Sequence, residues 1–203
     1  QTKAIMPVHL YGHPCDMEPI QQLAQKHRLK IVEDAAQSIG SEYKGRKTGA
    51  LGDAAGFSFQ GAKMLVTGEG GMLLCEDEDV FKRAQFLNDH GRDPKKTLYN
   101  VEIGYKYKMS NLQAALGLAQ TERVDELVYQ KRQIYDWYYQ RLGERDDILL
   151  NVEKPWAKNT YWMTSIVLSE KVSVSRDVFM QKLKEKMIDS RPIFYPISSF
   201  PMF

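Results

Sequence analysis

The chain has 203 residues, with 28 Lys plus Arg against 26 Asp plus Glu, a formal net charge of +2 with neutral histidines, and 43% hydrophobic residues. A chain of that length buries roughly 70% of the surface its unfolded form exposes, so it builds a core without disulfide staples and is not a short cross-linked scaffold. The near-cancelling charges, with no long run of one sign, provide no broad electrostatic footprint for nucleic acid or an acidic membrane. No apolar stretch approaches the roughly 20 residues needed to cross a bilayer, and the polar start Gln1, Thr2, Lys3 lacks signal-peptide organisation, so a cytoplasmic protein is expected.

Cys15 and Cys75 form neither a CxxC pair nor a cluster with histidine, and are expected as free thiols. His9 and His13 have the spacing of a helical metal pair, but Gly12 and Pro14 break any helix there and no glutamate stands between them as a general base. No metal site is expected.

The apolar run Ala4 to Leu10 followed by Tyr11-Gly12-His13-Pro14 predicts a strand ending in a loop. Asp16 can cap a helix carrying Ile20, Leu23, Ala24 and His27 at helical spacing, and Leu29 to Asp34 turns apolar and β-branched. This is strand, helix, strand, a crossover that joins parallel strands and gathers ligands at their carboxyl ends, where Asp34 stands. Gly40 to Gly52 predicts an excursion or short hairpin, and Ala54 to Phe59 and Gly70 to Cys75 predict two further strands. Asp77 can cap a helix to about Asp89 with Val80, Phe81, Ala84 and Leu87 on one face. His90 to Lys108 reads as a loop. Ser110 can cap the longest helical pattern in the chain, one long helix, with a bend allowed, as far as Leu142. After Gly143 the pattern predicts a strand over Tyr161 to Leu168, an amphipathic helix over Arg176 to Met187 and the start of a strand over Arg191 to Tyr195.

Two short strings carry the chemistry. Glu33-Asp34-Ala35-Ala36-Gln37 ends one predicted strand, and Ser58-Phe59-Gln60-Gly61-Ala62-Lys63 follows another, so a carboxylate and an amine from adjacent strand ends can converge on one ligand. Each alone has a plainer reading, Asp34 as a cap or loop carboxylate and Lys63 as a solvated charge. The small and apolar neighbours of Lys63 point instead to partial burial, where desolvation lowers a lysine pKa and frees the amine as a nucleophile. Thr67-Gly68-Glu69-Gly70-Gly71 is neither a Walker loop nor a GxGxxG turn, and by itself reads as a tight turn. Tyr129, Tyr135, Trp137, Tyr138 and Tyr139 read as packing between domains or subunits rather than as base-stacking platforms.

Taken in order and spacing, Pro7-Val8-His9-Leu10-Tyr11-Gly12, Glu33-Asp34-Ala35-Ala36-Gln37, Gly52-Asp53, Phe57-Ser58-Phe59, Lys63, Gly68-Glu69-Gly70-Gly71 and Met109 to Ala115 resemble the DegT-type nucleotide-sugar aminotransferases, within them most nearly the GDP-perosamine synthase group. The resemblance covers nearly the whole chain. It implies an α/β fold type I scaffold that binds pyridoxal 5′-phosphate: a three-layer large domain over residues 1–142, here partial, and the start of a small α+β domain over residues 143–203. It makes Lys63 the lysine that bonds the cofactor and shuttles the proton, Asp34 the partner of the pyridinium nitrogen, Gln37 a neighbour of the ring's phenolic oxygen and Ser58 a donor to the phosphate. Lys63 also separates the chain from the related dehydratases, in which histidine takes the lysine's place.

Lys106 departs from the family's frequent asparagine, a residue that reaches the phosphate in the neighbouring subunit. A lysine there would meet that phosphate as a point charge. The resemblance further implies an amino donor, glutamate, a nucleotide-linked keto-sugar acceptor such as GDP-4-keto-6-deoxymannose, and a homodimer with shared active sites. It also makes the sequence an internal fragment of a longer protein. The rival readings are a non-catalytic aminotransferase-like binding or regulatory module, which has no need of both Lys63 and Asp34, and an unrelated nucleotide-binding domain, which would require a glycine fingerprint after the first strand.

Overall fold

The computed structural model describes residues 2–203; Gln1, the first residue of the polar start, lies outside the described residues. The chain divides into two compact units, one of Gln1–Ile134 with Glu153–Met163 and the other of Tyr135–Val152 with Thr164–Phe203.

In the first unit, β1 (Ala4–Ile5), α1 (Met17–His27) and β2 (Lys30–Asp34) form the expected crossover. β1 is shorter than its apolar run because Pro7 has no N–H to give the ladder, yet pairing resumes around it. Asp34 N donates to Pro7 O at 2.9 Å and His9 N donates to Asp34 O at 3.1 Å, which grips the end of β2 from both sides. Asp16 stands at the N-terminus of α1 but its side chain does not cap the helix. Its Oδ1 instead accepts the Tyr43 hydroxyl at 2.7 Å, and that hydroxyl oxygen accepts Glu18 N at 3.3 Å. The orphan helix amide is therefore met by Tyr43 rather than by the cap residue.

β3 (Glu42–Tyr43) and β4 (Arg46–Lys47) are the expected hairpin, and β5 (Ala54–Ser58) and β6 (Gly71–Cys75) the next two strands. The sheet order is β1-β2-β5-β6, with β1, β2 and β5 parallel and β6 antiparallel to β5. α2 (Glu78–Asn88) is capped by Asp77, which accepts from Asp79 N and Val80 N. Its apolar face does not reach a core in this chain, since Val80 and Phe81 are exposed. The predicted loop from His90 to Lys108 carries two isolated bridges, Asp89 with Lys106 and Arg92 with Asn100.

The single long helix expected after Ser110 is two helices, α3 (Asn111–Thr121) and α4 (Val124–Leu142). Ser110 closes a full capping box with Gln113. The break follows from local hydrogen bonding: Thr121 Oγ1 bonds back to Gly117 O at 2.8 Å, and Arg123 N closes on Gln120 O at 3.1 Å, a tighter turn that redirects the axis. The unit boundary lies inside α4, before Leu142.

In the second unit β7 (Ile148–Leu150) pairs with β9 (Ile166–Leu168), and α5 (Arg176–Glu185) is capped by Ser175. β8 (Ala157–Lys158) belongs to the first unit and pairs with β3. The strand expected over Tyr161 to Leu168 is therefore only its last three residues. Asn159 Oδ1 accepts Tyr161 N at 2.8 Å and Tyr161 has φ 49°, a turn that ends extension and sends Tyr161 and Trp162 into the first unit's interior. No strand forms over Arg191 to Tyr195, where Pro192 removes a ladder donor and Ile193, Phe194 and Tyr195 are exposed.

Two apolar clusters hold the first unit, one of Met17, Ala24, Ile31, Tyr43 and Leu51, the other of Phe59, Met64, Leu65 and Val128. The same unit also buries a charge. Glu33 Oε2 accepts His9 Nε2–H at 2.9 Å and Gly49 N at 2.8 Å, and its Oε1 accepts Leu51 N and Gly52 N at 2.7 Å each. His9 Nδ1 in turn accepts Cys15 N at 3.0 Å, which assigns the remaining proton to Nε2. A second proton on the imidazole, which the Glu33 charge favours and burial opposes, would break that Cys15 bond, so the geometry supports the neutral ring.

Burial works against the Glu33 carboxylate, but the His9 bond and the three amides outweigh it and hold its pKa below the usual range. Removing the carboxylate strands all four partners, so Glu33→Ala in the full-length protein should cost roughly 3–5 kcal/mol, read as a lower urea midpoint at about pH 7. Because the folded pKa lies below the ordinary value of 4.5, the charge-dependent part is complete above that value and is lost as pH falls through the lower folded one. The stability gap between wild type and Glu33→Gln should therefore narrow as pH falls below 4.5 through the lower folded pKa; a gap that stays constant would show that Glu33 is not ionised in the fold.

Candidate active site

Asp34 ends β2 and Ser58 ends the neighbouring parallel strand β5, with Asp34 in register with Gly56. Successive residues of a strand face opposite ways, so with Glu33 turned inward to its buried partners Asp34 is presented on the other side. Asp34 is half-buried. Its Oδ1 accepts Ala36 N at 3.0 Å, and among the described residues no protein donor meets Oδ2. Gln37, a turn later, is oriented by Tyr11: its Oε1 accepts Tyr11 N at 2.8 Å, which leaves the amide nitrogen as the donor end. Tyr11 lies in the left-handed region at φ 54° to present that N–H, and Gly12 at φ 95° completes the turn. A Cβ on Gly12 would meet Thr160 Oγ1 at 2.7 Å and Trp162 N at 3.0 Å, so this close approach requires glycine.

Lys63 lies on the irregular loop after β5. Its backbone N donates to Gln60 O at 2.8 Å, and Gln60 N in turn donates to Ser58 Oγ at 3.4 Å, leaving the serine's own proton for an outside acceptor. The Lys63 ammonium makes no hydrogen bond among the described residues; it lies 4.2 Å from the centroid of the Trp162 ring. Burial pushes its pKa down, and the opposing charge of Asp34 recovers only part of that shift. Of the five site residues expected from sequence, the structure thus brings Asp34, Gln37, Ser58 and Lys63 to one side of the β2–β5 pair. Lys106 is not with them. It is exposed, bridges to Asp89 and lines a separate open cavity of about 660 Å³ with Met72, Cys75, Phe81, Lys108 and Gln113.

The loop that carries Lys63 is anchored from elements distant in sequence. Gln113 Nε2 donates to Glu69 O at 2.9 Å, and Gln120 accepts Val66 N at 3.1 Å while donating to Val66 O. Both glutamines lie on one face of α3, a polar pair on a largely apolar helix, which is a signal the sequence does contain. Trp162 contributes its Nε1–H to Ala62 O at 2.9 Å and packs its ring 5.8 Å from that of Tyr11. Trp162 did not stand out in the sequence, because it sits in a segment whose pattern reads as strand. Among the described residues no group of three or more His, Cys, Asp or Glu could hold a metal ion, and no helix is long and apolar enough to cross a membrane.

An amine whose pKa burial lowers, beside a half-committed carboxylate and with a hydroxyl and an amide donor at the same strand ends, can capture a carbonyl and hold a polar aromatic ring. Comparison with known proteins agrees with that chemistry. The family model described as the DegT/DnrJ/EryC1/StrS aminotransferase family matches residues 1–203. The chain belongs to this family. The GDP-perosamine synthase of Caulobacter vibrioides is 42% identical over 207 residues, covering 100% of this chain and 55% of the relative. EpsN of Bacillus subtilis (strain 168), named for pyridoxal phosphate-dependent aminotransfer, is 36% identical and covers 99% of this chain and 51% of its own length. The solved aminotransferase TlmJ from Streptoalloteichus hindustanus superposes with a TM-score of 0.90 at 27% identity, over 99% of this chain and 54% of that one. The chain therefore carries part of the mixed α/β fold of the DegT-family aminotransferases and spans about half the length of the curated relatives it matches.

Proposed function

We propose that the full-length protein is a cytoplasmic pyridoxal phosphate-dependent aminotransferase. It moves an amino group from glutamate to the keto group at carbon 4 of a nucleotide-linked sugar such as GDP-4-keto-6-deoxymannose. The observation that carries this reading is the Lys63 amine, half-buried, free of hydrogen bonds among the described residues and electrostatically coupled to Asp34. The names of the relatives support the substrate class, since the GDP-perosamine synthase of Caulobacter vibrioides matches along the entire chain. A binding module without catalysis would need neither the suppressed lysine pKa nor a carboxylate with an uncommitted oxygen.

The residues present fit the cofactor. Asp34 Oδ2 is available to a protonated ring nitrogen, the Gln37 amide nitrogen to a phenolic oxygen, and the Ser58 hydroxyl to a phosphate. Pyridoxal phosphate, when bound, supplies an aldehyde that amines can join and a ring that accepts the electron pair left when a neighbouring carbon loses its proton. Lys63, freed as an amine, takes a proton at Nζ and returns it, and burial, which pushes its pKa below the ordinary lysine value, eases the return. Asp34 keeps its partner nitrogen protonated, as an ionised carboxylate favours a cation beside it. Lys106, on the bridged loop before α3, is assigned to the phosphate of a second subunit's site, which makes the protein a homodimer with shared sites.

Three outcomes test this reading in the full-length protein. Lys63→Ala should abolish both the absorption band acquired with pyridoxal phosphate and its capture by borohydride, and should abolish turnover while leaving the fold nearly intact; retained turnover would sink the assignment. Asp34→Asn should still capture cofactor but lose several orders of magnitude in rate, because a neutral partner no longer holds the ring nitrogen's proton, and near-normal kinetics would rule this role out. Lys63→Ala and Lys106→Ala subunits, each crippled alone, should recover partial activity when co-expressed, assayed with GDP-4-keto-6-deoxymannose and glutamate. Failure with verified heterodimers would reject the shared site, and wild type that forms no amino sugar would move the substrate to another nucleotide keto-sugar.

A further inference from the structure

We infer that Trp162 is a positioning residue for Lys63: its indole face holds the lysine ammonium beside Asp34, and its Nε1–H fixes the peptide next to that lysine. The inference rests on the reading of Lys63 as the amine that captures the cofactor. Both contacts come from one side chain. The ammonium stands 4.2 Å from the ring centroid, inside the range where an indole attracts a cation, and Nε1–H donates to Ala62 O at 2.9 Å, one peptide away from Lys63. Lys63 is thereby held at both ends, although Gly61 and Ala62 beside it are exposed and belong to no regular element.

The indole itself has little freedom. Trp162 is 4% exposed, its ring packs against Tyr11, and its carbonyl accepts Lys131 Nζ at 3.1 Å from α4. The preceding turn is fixed by Asn159, whose backbone carbonyl accepts Arg132 at 2.5 Å and whose N–H donates to Glu153 at 2.7 Å, and by Thr160 N, which donates to Gly12 O at 3.3 Å. The chain Gln37 to Tyr11 to Trp162 to Lys63 therefore joins the donor next to the ring site to the amine through contacts already in place. Asp34 is the charged group that acts on the amine from β2, and Lys131 reaches only the far, carbonyl side of Trp162.

An indole face stabilises the charged lysine and does nothing for the neutral one, so it opposes burial in the same sense as Asp34. The amine is kept as an ordered ammonium until a ligand takes its proton.

The test measures the amine of the full-length protein without cofactor. Trace acetylation of Lys63 is followed against pH by peptide mass spectrometry in wild type, Trp162→Phe and Trp162→Leu. Leucine keeps the apolar cover but has no π face, so the midpoint should fall by about half to one pH unit, roughly 3- to 10-fold in the proton affinity of the amine. Phenylalanine keeps a face and should stay nearer wild type. Equal midpoints in all three proteins, or equal falls with phenylalanine and leucine, would overturn the inference.

A second measurement leaves Trp162 untouched. Residues 1–203 hold 3 tryptophans, and with Trp137→Phe, Trp156→Phe and any tryptophan of the full-length protein outside residues 1–203 also changed to phenylalanine, the emission of Trp162 should show a step at the Lys63 midpoint that Lys63→Met removes. A missing step, or one that survives Lys63→Met, would overturn the inference as well. Because neither readout uses pyridoxal phosphate, its failure is distinguishable from failure of the cofactor reading, which the absorption spectrum tests.

Discussion

A carboxylate buried with no net exposure of its oxygens to water decides how the first unit closes. Glu33 is 1% exposed and joins three pieces of chain that no apolar contact would align so narrowly: the end of the first strand through His9, the hairpin return through Gly49, Leu51 and Gly52, and β2 itself. Hydrophobic burial is non-directional and would tolerate a slip of the hairpin against the strand. Four donors converging on two oxygens do not, because any slip leaves a buried charge or a buried amide without a partner. The residue after Glu33 is Asp34, so the interaction that locks the interior face of β2 also fixes the direction of the carboxylate on the other face.

At the site itself three influences compete for one proton on Lys63. Burial acts toward the neutral amine, while the Asp34 charge and the Trp162 face act toward the ammonium. An amine in full solvent would stay charged and be a poor nucleophile; one buried without Asp34 or Trp162 would have nothing to orient it. The intermediate burial of both Asp34 and Lys63 is what leaves room for a ligand between these forces.

How much of this was legible in the sequence depends on the range over which each feature is determined. The crossover β1–α1–β2 was, since periodicity, the Asp34 strand end and the helical face are local, and so were Ser110 as a full cap and the two strings that carry Asp34 and Lys63. The helix break at Glu122 was not, because a threonine hydroxyl turning back on Gly117 O leaves no trace in an apolar pattern. Asp16 looked like a cap from its neighbours, and it is Tyr43, distant in sequence, that claims its carboxylate. The strand over Tyr161 to Leu168 failed in the same way: its β-branched and aromatic composition is right for a strand, but Asn159 folds its first residues into a turn.

Trp162 is the extreme case of that range. It meets Tyr11, Ala62, Lys63 and Lys131, all distant from it in the chain. The loop of Lys63 is likewise tied to Gln113 and Gln120 of α3 rather than to its own neighbours. Closing such contacts costs loop entropy, and in the folded chain the parallel sheet and the Glu33 contacts hold the remote segments within reach of one another. The Lys63 amine is held on a loop whose stiffness comes from residues contributed by the rest of the fold. Those contacts explain how a segment with an exposed Gly61 and Ala62 can present a lysine in one orientation: the loop's own sequence does not supply the rigidity, the surrounding scaffold does.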